Sequence, residues 1–215
     1  MKKRRSTFIH PPYLRFSDIR IRADEFRKRY LRPPDLLPVP IEKIAEITLG
    51  LIPIPIHGLL DEEDVDGFLT NNLKNICIDF DIYMDPRKEN RRRFTYAHEV
   101  GHLILHRDEI QQCNFRTPED WKHFHEDFLK EDMNWFEQHA YEFAGRLLVP
   151  KTALESELKA YSVSIEKYRK MGGNDAEIIA EVIAHDICSK FKVSPECMSK
   201  RIQKEKLLLP FLKRT

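Results

Sequence analysis

The stretch TYAHEVGHLILH, residues 95–106, sets three histidines four residues apart in an apolar run, with Glu99 directly after the first. On a helix, His98 and His102 leave the same face with their Cβ atoms about 5–6 Å apart. Two imidazoles so placed can share one metal ion at about 2.0–2.1 Å each. Glu99 points roughly 100° further around the helix, where it reaches a water at the metal without taking a ligand position. This is the H-E-x-x-H arrangement, in which two histidines hold zinc and the glutamate serves as general base. The competing reading is a core helix whose histidines are merely hydrogen-bonded. Phe94, Ala97, Val100, Leu103, Ile104 and Leu105 make the run apolar on several sides. Buried imidazoles need partners, and a metal supplies one to both.

A zinc site with an open position takes one further protein ligand, usually His, Glu or Asp. His106 is excluded, because it lies about 12 Å along the axis from His98. It is expected to be a helix-end histidine favoured by the helix dipole. The H-E-x-x-H-x-x-G-x-x-H pattern also fails, with Leu105 at its glycine and Asp108 at its third histidine. Most downstream acids fall in the hydrophilic stretch 107–134. Glu137 differs, because it heads a stripe of Tyr141, Ala144, Gly145 and Leu148 in the second apolar helix, WFEQHAYEFAGRLLVP. An acid so placed points toward a neighbouring element, whereas Glu142 lies about 140° away from it. Gly101 and Gly145 each cost about 1 kcal/mol relative to alanine inside a helix. That cost is offset if they let two ligand-bearing helices approach closely. Failing Glu137, Asp108 or an acid in 119–132 is next in line.

RRRFTYAHEVGHLILH followed by EQHAYEFAGRLLVP resembles the ImmA/IrrE-type zinc metallopeptidases, and FKVSPECMSKRI resembles that family's C-terminal helical segment. The likeness runs over about residues 40–205. The resemblance implies a zincin-like peptidase core with one zinc per chain on His98, His102 and Glu137, and with Glu99 as base. It also implies a protein substrate, a helix-turn-helix transcriptional repressor encoded nearby, within phage, mobile-element or stress-response circuits. Relatives commonly carry asparagine where Tyr141 stands, so a hydrogen bond from that position to a zinc ligand would come from a phenol here.

These residues need elements to hold them. Residues 18–31 carry a few apolar groups among many arginines and read as a charged surface helix. RPPDLLPVP breaks it, Pro40 opens a short helix and Gly50 stops it. LIPIPIHGLL alternates branched residues with prolines, as an edge strand does. DGFLTNNLKNICIDFDIYM predicts a strand, a turn at Asn71-Asn72 and further strands at Ile76 to Phe80 and Ile82 to Met84. The metal helix runs from near Asn90 past His106, and the second from about Trp135 to Leu148, stopped by Pro150. The remainder is helical, with Ser194 as an N-cap. A small antiparallel or mixed sheet packed on helices makes the class α+β. The chain divides into a basic N-terminal extension with one surface helix (1–35), the catalytic core (36–150) and a C-terminal helical subdomain (151–215).

Composition bounds the function classes. The 215 residues are 41% hydrophobic and 33% charged, as in soluble globular proteins. The sequence holds no apolar run of about eighteen residues, the length a membrane span needs. Four cysteines without a CxxC pair read as thiols in a reducing compartment, and the expected location is the cytoplasm. Residues 1–32 hold eleven Lys/Arg against three Asp/Glu, and residues 190–215 eight against two, around an acidic middle. Basic ends raise contact with nucleic acid. No helix-turn-helix precedes the metal helix and aromatic interleaving is thin, so direct DNA binding is not expected.

Peptide hydrolysis would also need a donor for the tetrahedral oxyanion besides zinc. His139, Tyr141, Tyr96, His123 and His125 are the candidates. An extended substrate would add a strand to a sheet edge, with Asn75 to Met84 as the expected edge. The alternative function is a zinc-containing regulatory partner, of a toxin–antitoxin or phage-type module, that sequesters a repressor without cutting it.

Overall fold

A computed structural model describes residues 9–113, 129–172 and 175–212. The chain forms two compact units, Met1–Arg22 with Ile41–Ala144, and Ala23–Pro40 with Gly145–Thr215. Helix α1 (Phe16–Tyr30) starts in the first and ends in the second. It presents an exposed charged face, with Arg22, Glu25, Lys28 and Arg29, and a buried one. Ile19 and Ala23 are fully buried, and Phe26 and Arg27 nearly so. Two of the arginines turn inward to acceptors. Arg20 donates to Glu142 at 2.6 Å, and Arg27 to the carbonyls of Leu147 and Pro34 at 3.0 and 2.7 Å.

In the first unit, α2 (Ile41–Lys43) widens into a π turn at Ile44–Thr48 before Gly50 ends it at a φ of 70°. There follow β1 (Ile52–Ile56), α3 (Leu59–Glu63), β2 (Gly67–Leu69) and β3 (Asn75–Asp79). The sheet order is β1-β3-β2, with β1 parallel and β2 antiparallel to β3. The class is α+β, mostly helical around a small mixed sheet. β3 is thus the central strand, which corrects the expectation that Asn75 to Met84 is an edge. Its unbroken buried run, Ile76 to Asp79, is how a strand covered on both faces reads. The strand expected at Ile82 to Met84 is also overturned. Asp79 caps α4 (Phe80–Met84), its carboxylate accepting from the N–H groups of Asp81 and Ile82 at 3.0 and 3.1 Å.

The two sheet edges differ chemically. Ile52 N–H donates inward to Lys74 O at 2.8 Å, so alternation turns Pro53 and Pro55 outward. Proline has no N–H, and those two positions offer the outer edge no donor. On the other side, Thr70 N–H donates to Asn75 O and Asp79 N–H to Asp66 O. That phase turns the backbone groups of Gly67 and Leu69 to the free edge.

A 3₁₀ turn at Pro86–Lys88 leads into α5 (Glu89–Leu105), which packs on β2 and β3 and against α2 and α4. After α6 (Arg107–Gln112) comes α7 (Lys130–Leu148), which begins before the expected Trp135 and passes into the second unit.

The second unit continues with α8 (Lys151–Ala160), α9 (Ser162–Gly172), α10 (Ala176–Phe191), α11 (Pro195–Lys204) and α12 (Leu209–Leu212). The expected Ser194 cap is present, accepting from Cys197 N–H at 3.1 Å. Helices α10 and α11 pack together, and they bury Ile183, Ile187, Phe191, Met198 and Ile202. Arg146 joins Asp24 (2.6 Å) to Glu205 (2.9 Å). All four cysteines are free thiols. Among the described residues, no helix is long and apolar enough to cross a membrane.

Candidate metal centre

Helix α5 delivers His98, Glu99 and His102 to one place, and α7 delivers Glu137. The two helices approach closely at Gly101. A Cβ there would lie 3.2 Å from both Ala140 O and Phe143 Cδ1, and 3.3 Å from Ala140 Cα. The expected use of a small residue holds at that position. It does not hold at Gly145, whose Cβ would meet Arg201 Cδ at 3.1 Å.

His98 Nε2 lies 3.0 Å from Glu137 Oε2 and 3.0 Å from His102 Nε2. His102 Nε2 lies 3.6 Å from Glu137 Oε1. A tetrahedral site with bonds of about 2.0–2.1 Å separates its ligand atoms by about 3.3 Å. No single assignment of protons gives all three contacts a linear hydrogen bond, whereas one divalent cation satisfies every lone pair. The three residues fit such an ion, each offering one atom within 4.8 Å of the others. His98 Nδ1, behind them, is buried with no hydrogen-bond partner among the described residues.

The electrostatics point the same way. Burial alone would push the Glu137 carboxyl up, but hydrogen bonds from His102 and His98 hold it well below the usual range. Burial works to lower His98, and Glu137 more than reverses it. His102 stays lowered, mainly by burial. Glu99 is pushed up to about 8 by burial, with the Glu137 charge adding to the shift and His98 and the Leu69 backbone N–H opposing it. Leu69 sits on the free edge of β2, so the sheet edge and the carboxyl meet.

These groups line a cleft of about 420 Å³, walled by residues 64–69, α5 and the part of α7 carrying Phe136, Glu137 and Tyr141. Tyr141 is half-exposed there, its ring edge-on to His98 at 4.6 Å between centroids. Burial, with Glu137 nearby, pushes its phenol up to about 12, so it remains a donor. The other candidate donors are placed elsewhere. Tyr96 is buried and gives its hydroxyl to Glu46 at 2.6 Å. His139 is fully buried and does not line the cleft. His123 and His125 lie outside the described residues.

His106 corrects an expectation. It does end α5, but it is fully buried and pushed down to about 2, chiefly by burial. A neutral ring gains nothing from the helix dipole. Its Nδ1 meets His102 Nδ1 at 3.1 Å and its Nε2 meets His139 Nδ1 at 3.2 Å. The four-residue spacing from His102 is the sequence signal for this contact. Glu142 is buried against Arg20 and takes no part in the site.

The family model for the IrrE N-terminal-like domain, Peptidase M78, matches residues 60–203. No curated protein and no solved structure matches the chain. The matched span is more than half of the chain and holds the cleft's β2 edge, the three candidate ligands and Glu99. By that match the chain belongs to the Peptidase M78 family of IrrE N-terminal-like domains, a family of metallopeptidase type.

Proposed function

We propose that the chain is a zinc-dependent endopeptidase with a zincin-like core, acting in the cytoplasm on a helix-turn-helix transcriptional repressor. One observation carries the reading: a convergent His98–His102–Glu137 donor set shares a cleft with the Glu99 carboxyl and a free sheet edge. The substrate class rests on family likeness. Two nitrogens and one carboxylate oxygen suit zinc, and three protein ligands leave the open position of a catalytic site. When bound, zinc acidifies water toward neutral pH and polarises a carbonyl.

The chain's own residues supply the rest. Glu99 takes no place among the ligands and can accept a proton and pass it to the leaving amine. A nearby cation lowers its pKa, keeping it ionised for that task. Tyr141 is the donor on hand for the developing oxyanion. The substrate strand adds at β2, where the backbone groups of Gly67 and the carbonyl of Leu69 face outward, because the prolines of β1 deny the other edge its donors.

The test incubates zinc-loaded wild type and Glu99→Gln with the helix-turn-helix protein encoded beside it, and follows fragments by mass. Wild type is expected to cut, and the variant to bind equal zinc and lose about 10²–10⁴-fold in rate. Equal cutting by both removes Glu99 as base. Tight binding by both without cleavage replaces the enzyme with a sequestering partner.

A further inference from the structure

We propose that His106 and His139 are positioning residues that hold the His102 ring with its Nε2 lone pair free for the cation. The proposal rests on the metal reading of His98, His102 and Glu137. It also goes beyond it, because neither ring is a ligand.

Three rings stand in line. His102 Nδ1 meets His106 Nδ1 at 3.1 Å, and His106 Nε2 meets His139 Nδ1 at 3.2 Å. Phe136 stacks on both His102 and His106 at 4.3 Å between centroids, and His106 and His139 are wholly shielded from solvent. A neutral imidazole carries one N–H and one lone pair. His106 can therefore donate to one neighbour only, and it must accept from the other. That leaves two orders for the whole chain. In one, His139 donates to His106, which donates to His102, and the His102 proton is left on Nε2. That proton would occupy the atom facing His98 and Glu137, where the ligand lone pair is needed. In the other order, His102 donates from Nδ1 to His106, and His106 from Nε2 to His139. Only this order frees His102 Nε2. It leaves a proton on His139 Nε2, a buried atom with no hydrogen-bond partner among the described residues. A metal-ligating histidine is oriented and made more basic by the acceptor on its second nitrogen. Here that acceptor is another histidine.

The experiment has two arms, neither reading activity. In the first, zinc affinity is measured by chelator competition for wild type, His106→Leu and His106→Asn. The leucine variant is expected to lose about 10–100-fold, and asparagine, whose Oδ1 can accept near the position of Nδ1, to recover most of it. Leucine binding as tightly as wild type overturns the proposal. So does an equal loss in both variants, which would assign the effect to packing. In the second arm, nitrogen chemical shifts of histidine-labelled, zinc-loaded wild type locate the protons without any substitution. The expected pattern is Nδ1–H on His102 and Nε2–H on His106, and a His106 proton on Nδ1 overturns the proposal even if the leucine variant fails to fold. Wild type that binds no zinc defeats the metal reading and the relay together, a failure visible before any variant is made.

Discussion

At the scale of single residues, the centre combines groups whose ionisation is set by burial, and this makes it testable by pH. Glu99 is raised from 4.5 to about 8 in the folded, metal-free chain, chiefly by desolvation. Between those values the folded state holds a proton that the unfolded state has released, so rising pH erodes stability across that window. Glu99→Gln, metal-free, is expected to be more stable than wild type, with the advantage growing from pH 5 to pH 8 and reaching a few kcal/mol. Urea unfolding at both pH values checks it; an advantage independent of pH would mean that Glu99 is not the buried acid described. Tyr141→Phe is expected to lower kcat about 10²–10³-fold with little change in KM. A change confined to KM would make the phenol a substrate contact instead. His98, Glu99, His102 and Glu137 were legible in the sequence because helical spacing and a stripe of small residues are local signals. The task of His106 was not, since its burial depends on Phe136 and His139, both from a distant helix.

At the scale of elements, the close crossing of α5 and α7 sets the distance between the candidate ligands. Gly101→Ala adds helix propensity worth about 1 kcal/mol, but its Cβ meets the Ala140 backbone at 3.2–3.3 Å. Backbone cannot give way without moving α7, and overpacking of this kind costs about 1–3 kcal/mol. The variant is expected to bind zinc at least tenfold more weakly and to melt at a lower temperature. Unchanged affinity would show that the crossing has slack. Helices were the legible elements here, apart from α3, whose Leu59 and Leu60 fall in the run expected as a strand, and α4. There Asp79 competes with strand propensity by capping two N–H groups, a contact that hydrophobic alternation does not register. Strand order was illegible for another reason. Which strand lies in the middle is decided by pairing across the sheet, and only the unbroken buried run in β3 hinted at it.

At the scale of the whole molecule, neither compact unit is a continuous stretch of chain. Residues 23–40 belong with 145–215, and Arg146 connects Asp24 to Glu205 within that unit. A fragment ending at Pro150 keeps Asp24 and Arg146 but loses Glu205 and the paired helices α10 and α11. It is expected to melt without a sharp transition; a soluble fragment with a cooperative melt would show that the remainder folds alone. The basic ends that composition singled out are partly consumed in internal pairs, Arg20 with Glu142 and Lys190 with Glu157, a use that net charge cannot reveal. The prolines of β1 have one more consequence, for the protein in a crowded solution. Ile52 and Ile54 are well exposed, and an exposed apolar edge strand invites copies of a chain to stack into fibrils. Alternating prolines act as gatekeepers against that stacking. Replacing Pro53 and Pro55 with valine would turn IPIPI into an unbroken β-branched run, and light scattering on storage should rise while the fresh protein still binds its metal.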